Sequence, residues 1–380
     1  MDDRIRSLFD ARLNRRVFLR GAAGVAALSV LGPRLAVRGQ TLGGQLNFIG
    51  YDGEDARNVA KPFLEANGIQ VNPTFIADPF EPLTRFQTGG RGQMDIISDN
   101  KDFMRAVLDA GTELFLPLDL SRIPNAAGLF EGLKTPSWLY RDGVTYGIPL
   151  IWGDEPCTFD PAVWDAPPPK YTDFADPSWA GALVMVDDPI ANTWLWGKSL
   201  GFEEPNRLTQ AQLDQAIDEM LKTKPNVVTF AATLGDQADV LIRGDATMAV
   251  GGWAYQILIA KEKGVTLAAA SPAVDGTYFW SDAYSIALDA PNLDNAYAFI
   301  DFMMSPDANA GIATELGSGC TIETALPLMD PVIAGLYPYD EVRAPGGVLD
   351  TQVVTPPAED DGDIVGIAKW QEAWQRFKLS

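Results

Sequence analysis

The chain of 380 residues contains no histidine at all. That absence removes Ser-His-Asp and Cys-His nucleophilic catalysis, and it removes histidine-ligated zinc and non-haem iron sites. Cysteine is nearly absent as well, with only Cys157 and Cys320. Two isolated thiols cannot build a thiolate cluster. Positive charge is scarce: 29 Lys and Arg stand against 51 Asp and Glu, a formal net charge of −22. A body so acidic repels nucleic acid and anionic lipid and attracts cations, although solubility in a salty habitat would call for the same balance. No phosphate-binding loop of the G-x-x-x-x-G-K-[ST] type occurs, and GGRG at Gly89–Gly92 is a turn. A two-carboxylate glycosidase remains formally open. Composition therefore argues against an enzyme and implies no cofactor and no metal.

One apolar run is present, and it is short. Gly21–Gly32 is uncharged but spans 12 residues, too few to cross a bilayer as a helix. It has the size of a signal-peptide hydrophobic region and follows Asn14–Arg20, whose paired Arg15 and Arg16 precede Phe18 and Leu19. This pattern is expected to be a twin-arginine export signal, cleaved near Gly39 and delivering the protein to the periplasm. Loss of its eight Arg and three Asp takes the net charge from −22 to −27. The remaining ~340 residues exceed what one core serves, so two domains are expected.

Beyond the leader, strand and helix patterns alternate. Gln45–Gly50, Ile69–Ile76 and Met94–Asp99 read as strands, separated by helical periodicity that stops at glycines. A second series begins with Ala182–Asp188, a strand ending in paired carboxylates, and includes a Thr-capped amphipathic helix from Leu208. The alternation predicts α/β parallel sheets. Ligands in such sheets sit beyond the carboxyl ends of strands, which points to Tyr51, Asp52 and the Asp99–Asp102 stretch. Pro356–Asp363 reads as an exposed acidic loop and Ile367–Phe377 as a final amphipathic helix.

The segment Phe279–Ile286, FWSDAYSI, reads as a strand with an unusual face. Residues at i and i+2 share a face, so Trp280, Asp282 and Tyr284 point together while the opposite side is mostly small. An indole beside a carboxylate suits a cationic amine: a π-face to lie against and an acceptor for charged N–H donors. A sheet edge with one solvated acid would give the same pattern.

Several stretches in order then identify a resemblance. NGIQVNPTF, LPLDLSRIPN, YGIPLIWG, GALVMVDDP, MAVGGWAYQ, FWSDAYSIALDAPNLDNAYAFIDFMMSPDANAG and GLYPYDE resemble the spermidine/putrescine-binding proteins, a family of periplasmic solute-binding components of ABC importers, from about Leu46 to the C-terminus. The resemblance implies the two-lobed α/β periplasmic solute-binding fold of type II, with the ligand cleft between lobes. It places lobe 1 at 42–152 plus 281–328 and lobe 2 at 153–280 plus 329–380. It implies capture of a polyamine by lobe closure, a membrane permease of a cognate ABC transporter as partner, no nucleic acid, and a monomer.

By position, Trp280 and Asp282 match the family's aromatic and central acid, Trp253 another aromatic of its ligand box, and Asp188 a second-lobe carboxylate. Asp188 also precedes a helix, where an N-cap would serve equally. Tyr51 stands where the family often has Trp. The pattern departs at Ala191, where spermidine-type members have an acid. It departs again at Asn100 and Asp102, where they have serine and tyrosine, and at the added acids Asp154 and Glu155 of the lobe crossing. The expected ligand-binding set is thus Tyr51, Asp52, Asn100, Asp102, Glu155, Asp188, Trp253, Trp280 and Asp282. An amino acid, a quaternary amine or ferric iron (through Tyr337 and Tyr339) is the alternative solute, and an exported carboxylate hydrolase the alternative class. The match puts Cys157 and Cys320 near the cleft, where two buried free thiols are expected ahead of a disulfide.

Overall fold

The computed structural model describes residues 42–76 and 79–380. The expected export signal lies outside the described residues. Among them no helix is long and apolar enough to cross a membrane.

Two open sheets organise the chain. The first has the order β13-β6-β12-β3-β1-β2, built from β1 (Gly44–Gly50), β2 (Ile69–Phe75), β3 (Ile96–Asn100), β6 (Ile148–Asp154), β12 (Phe279–Ile286) and β13 (Gly319–Cys320). The second has the order β11-β7-β10-β8-β9, from β7 (Cys157–Phe159), β8 (Leu183–Val186), β9 (Val227–Ala231), β10 (Met248–Val250) and β11 (Ala268–Ala270). A small hairpin, β4 (Tyr140–Arg141) with β5 (Val144–Thr145), lies apart. In each sheet three strands run parallel, β1–β3 and β8–β10, and strands arriving from the other lobe run antiparallel to them.

Both sheets are covered on both faces, as parallel strands require. Phe48 and Ile96 face one core while their neighbours Ile49 and Ile97 face another. In the second sheet Leu183 and Met185 face one side and Val184 the other. The period of two along each strand thus divides each lobe into a three-layer sandwich. Helix boundaries follow local chemistry. α1 (Lys61–Asn67) stops at Gly68, whose φ of 62° closes the last turn. α2 (Glu81–Arg85) carries Pro82 in its first turn. α3 (Lys101–Asp109) starts where the Asn100 side chain accepts from the N–H groups of Asp102 and Phe103. α4 (Pro189–Ser199) is capped in the same way by Asp188.

The chain passes between the lobes three times: from β6 to β7, from β11 to β12, and from Leu349 in the first core to Val354 in the second. The third passage corrects the sequence division. Met329, Ile333, Tyr337, Tyr339 and Val342, expected with lobe 2, pack in the core that contains Leu46 and Phe48. Their apolar spacing is ordinary core spacing, and nothing in it says which of two neighbouring cores they fill.

Candidate functional site

The loop after β1, the end of β3 and the middle of β12 meet around one group of acids. Glu54, Asp99 and Asp282 are all buried. Ser98 Oγ donates to Glu54 Oε2 at 2.6 Å, and Glu54 and Asp282 share a hydrogen bond between their carboxyl groups. Burial, then the negative field of Asp282, holds Glu54 well above the usual carboxyl range. Burial raises Asp282 too, while its bond from Glu54 works against the rise. Glu54 therefore carries the proton and donates it to Asp282, since two carboxylates in contact cannot both ionise without a cation. Tyr51 OH donates to Asp99 Oδ1 at 3.3 Å and accepts from Asn100 Nδ2 at 3.1 Å. Burial and the Asp99 charge push the Tyr51 phenol upward, so it stays a neutral donor.

A second group of acids lies at the passage from β6 to β7. Glu155 N donates to Tyr278 O at 3.2 Å, which fixes Glu155 beside the start of β12. Burial pushes the Glu155 carboxyl up to about 8, opposed by a hydrogen bond with the Tyr278 side chain and reinforced by the charges of Asp188 and Asp154. Asp154, 8% exposed, is pushed to about 7 by burial. Asp188 is half-buried, and its Oδ1 accepts from Ile190 N and Ala191 N at 2.7 and 3.0 Å. Among the described residues none of Asp154, Glu155, Asp188, Glu54 and Asp282 is in an ion pair with Lys or Arg.

Aromatic rings lie at the same junction. Trp280 lies across Gly153, its partner on β6. A Cβ at that position would come within 2.7 Å of Trp280 Cζ2, so only glycine leaves the indole its place. Trp253 and Tyr255 stack obliquely with centroids 4.9 Å apart. Tyr255 reaches out of the second lobe onto Gly317, where a Cβ would sit 2.1 Å from the ring and φ is +58°. Tyr337 OH donates to Gly317 O beside them. The Trp253–Tyr255 loop thus bridges the two lobes.

Two expected ligand residues are placed otherwise. Asp102 is a structural latch: its Oδ1 pairs with the buried Lys101 Nζ at 3.0 Å, and its Oδ2 accepts from Val354 N, Thr355 N and Thr355 Oγ1 at 3.0–3.3 Å. Lys101 also donates to Gln352 O. Asp102 therefore ties the third lobe passage to α3. Asp52 is exposed, and Glu54, two residues on, is the acid that enters the cluster. In a turn that follows no regular period, sequence alone could not choose between them. Tyr51, Asn100 and Asp282 do come together, as do Glu155 and Asp188; Trp280 lies between the groups on β12, and Trp253 sits at the joint.

Cys157 and Cys320 are free and buried in different cores. Burial pushes their thiols to about 12 and about 11. Tyr339 OH donates to Met329 Sδ and accepts from Cys320 N, and Tyr337 OH is committed to Gly317, so both tyrosines serve packing. Among the described residues no group of three or more His, Cys, Asp or Glu is placed to hold a metal ion.

Comparison with known proteins places this geometry in a family. The model of the bacterial extracellular solute-binding proteins matches residues 58–334. The spermidine/putrescine-binding periplasmic protein of Escherichia coli is 28% identical over 286 residues, covering 73% of this chain and 79% of its own. The putrescine-binding periplasmic protein of the same organism is 24% identical over 354 residues, covering 87% and 92%. Among solved structures, the spermidine/putrescine ABC transporter substrate-binding protein of Streptococcus pneumoniae superposes with a TM-score of 0.70 at 20% identity, over 88% of this chain and 98% of that one. A lipoprotein of Treponema pallidum gives the same score at 20% identity, over 89% and 100%. The family model spans most of the chain and the solved structures share its overall fold: the chain belongs to the bacterial extracellular solute-binding proteins.

Proposed function

We propose that this protein captures a polyamine in the cleft and presents it to the permease of a cognate ABC importer. The observation that carries the reading is the Glu54–Asp282 pair, two buried carboxyl groups hydrogen-bonded to each other and, among the described residues, in no ion pair with Lys or Arg. An ammonium group placed there lets both ionise and gains charge-assisted hydrogen bonds of about 1.5–3 kcal/mol each. Tyr51, Trp253 and Trp280 supply the faces against which methylenes and cations lie, each desolvated cation gaining on the order of 1–2 kcal/mol. A few such contacts, less the cost of immobilising the ligand, are sufficient for micromolar capture. The relatives named for spermidine and putrescine binding support the same ligand class. No bond in the ligand is broken. The protein acts as a monomer in the periplasm, reached by the twin-arginine route that Arg15 and Arg16 mark.

The test is calorimetric titration of the purified protein with spermidine and putrescine, beside native mass spectrometry for co-purified ligand. Saturable binding with one site per chain is expected. Absence of binding by either amine at millimolar concentration would end the polyamine reading.

A further inference from the structure

The lobes also meet outside the three passages. The second-lobe residues Tyr255 and Leu258 are half-buried and pack against the first-lobe core, as does Leu316 just past the helix Pro306–Glu315. Gly317 follows in the left-handed region at φ +58°, and a Cβ there would overlap Cγ, Cδ2 and Cε2 of the Tyr255 ring. The ring therefore rests on bare backbone. That backbone is pinned: Gly317 N donates to Thr314 O at 3.2 Å, Ser318 N to Ala313 O at 2.8 Å, and Tyr337 OH to Gly317 O.

The same helix end holds the turn after β1. Gly53, at φ +88°, makes room for Leu316, whose Cδ2 would lie 2.7 Å from a Cβ at that position. Asn58 Nδ2 donates to Glu315 Oε1 at 2.7 Å. Between these two grips the turn buries Glu54, whose N–H donates to Tyr51 O at 3.3 Å and whose carbonyl accepts from Tyr284 OH. Ala56, in the same turn, takes a φ of 49°, which a side-chain-bearing residue keeps only where its surroundings impose it. Glu315–Gly317 is thus one short block, touched by the second lobe at Gly317 and by the Glu54 turn at Glu315 and Leu316.

We propose that Tyr255 is a positioning residue for amine capture: seated on Gly317, it clasps the second lobe to the block that holds the Glu54 turn, so that one contact both stabilises lobe closure and fixes that acid. The proposal rests on the polyamine reading and assigns a residue that works without touching the amine. The contact exists only while the lobes meet, so its loss shortens the life of the bound state and leaves the encounter with parted lobes unchanged. It is indifferent to ligand length and scales the affinity of every amine alike.

The experiment measures putrescine and spermidine binding to the full chain by calorimetry and stopped-flow tryptophan fluorescence, with thermal melts without ligand to report folding. The proteins are the wild type, Tyr255→Ala, Tyr255→Phe, Leu316→Ala and the Tyr255→Ala/Leu316→Ala pair. Tyr255→Ala is expected to weaken both amines by the same factor, about tenfold, through faster dissociation. Tyr255→Phe keeps the ring and binds within about twofold of the wild type. Leu316→Ala weakens both amines as well, and the pair loses less than the product of the single losses, because the two side chains serve one block. Wild-type affinity in folded Tyr255→Ala overturns the proposal. So does a loss confined to one amine, which would make Tyr255 a ligand contact, and so do strictly multiplicative losses in the pair. If Tyr255→Ala does not fold, Leu316→Ala decides, and an unchanged dissociation rate there overturns the proposal. In each of these cases the wild type still binds, so the polyamine reading survives; a wild type that binds neither amine ends that reading and this role together.

Discussion

Acidification pits the amine against protons at the lobe crossing. Burial pushes Asp154 up to about 7 and Glu155 up to about 8. The charged groups facing them are Asp188 and each other, with Tyr278 and Tyr337 as neutral neighbours. An ammonium group favours the ionised carboxyl, so protonation competes with the ligand and affinity falls as pH falls. For one group titrating near 7 whose bound form stays ionised, the step from pH 8 to pH 6 costs about tenfold in Kd, or about 1.4 kcal/mol. Glu155 adds to this, less than its value alone suggests, because it is half-buried and water reaches it when the lobes part. The amine keeps its charge throughout, as an alkylammonium near 10 does. The stability of the folded protein without amine should behave in the opposite sense. Its acids sit above their unfolded values, so the stability they allow is present below the ordinary carboxyl range and is lost as pH rises through about 7 to 8. Calorimetric titration of spermidine at pH 6, 7 and 8, in buffers of different ionisation enthalpy, measures both the affinity and the protons released. A Kd that is constant over this range, or that tightens on acidification, would refute the argument.

The two sides of the β12 wall should fail by different amounts. Asp282→Asn is expected to weaken spermidine binding by about 2–4 kcal/mol, because the ammonium stays buried with half its partner gone. Trp280→Leu keeps apolar surface and loses the π-face, for about 1–2 kcal/mol; equal losses, or a normal affinity in Asp282→Asn, would show that the wall is structural. Asp102→Asn should act on stability ahead of binding. It strands the buried Lys101 ammonium, which costs about 3 kcal/mol, read as a lowered melting temperature without ligand. An unshifted melt would remove Asp102 from the latch.

Much of the fold could be read from the chain because its signals are local. Asn100, Asp188 and Thr209 each begin a helix with a side chain that satisfies the first free N–H groups, and each is legible within four residues. The strand Phe279–Ile286 and the common face of Trp280 and Asp282 followed from a period of two. The site was legible where it sits on such elements, at Asp282, Trp280 and Asn100. It was illegible where irregular backbone decides. Glu54 and Asp52 are two residues apart in one turn, and only the turn's three-dimensional path buries the first and exposes the second. Asp102 shows the converse. Its position past β3 suggested a ligand, but its Oδ2 is taken by a segment about 250 residues away and its Oδ1 by the neighbouring Lys101. No local pattern announces a partner at that distance.

Site and hinge share one structural member. Asn100 touches Tyr51 with its amide nitrogen and caps α3 with its amide oxygen. The next two residues, Lys101 and Asp102, grip Gln352, Val354 and Thr355 on the third passage between lobes. Gln352 in turn accepts from Phe279 N and donates to Thr277 O, holding the β12 passage beside it. The helix terminus that frames the acid group thus also fixes two of the three strands about which the lobes turn. The Trp253–Tyr255 loop lies on Gly317, and the acids at the lobe crossing are buried and repel one another. Without a cation those acids must take up protons or the lobes must part and hydrate them. A ligand can shift that balance only by its difference in affinity between open and closed forms. On the proposed function a polyamine would supply that difference through charge, its ammonium groups compensating the acids when both lobes surround it.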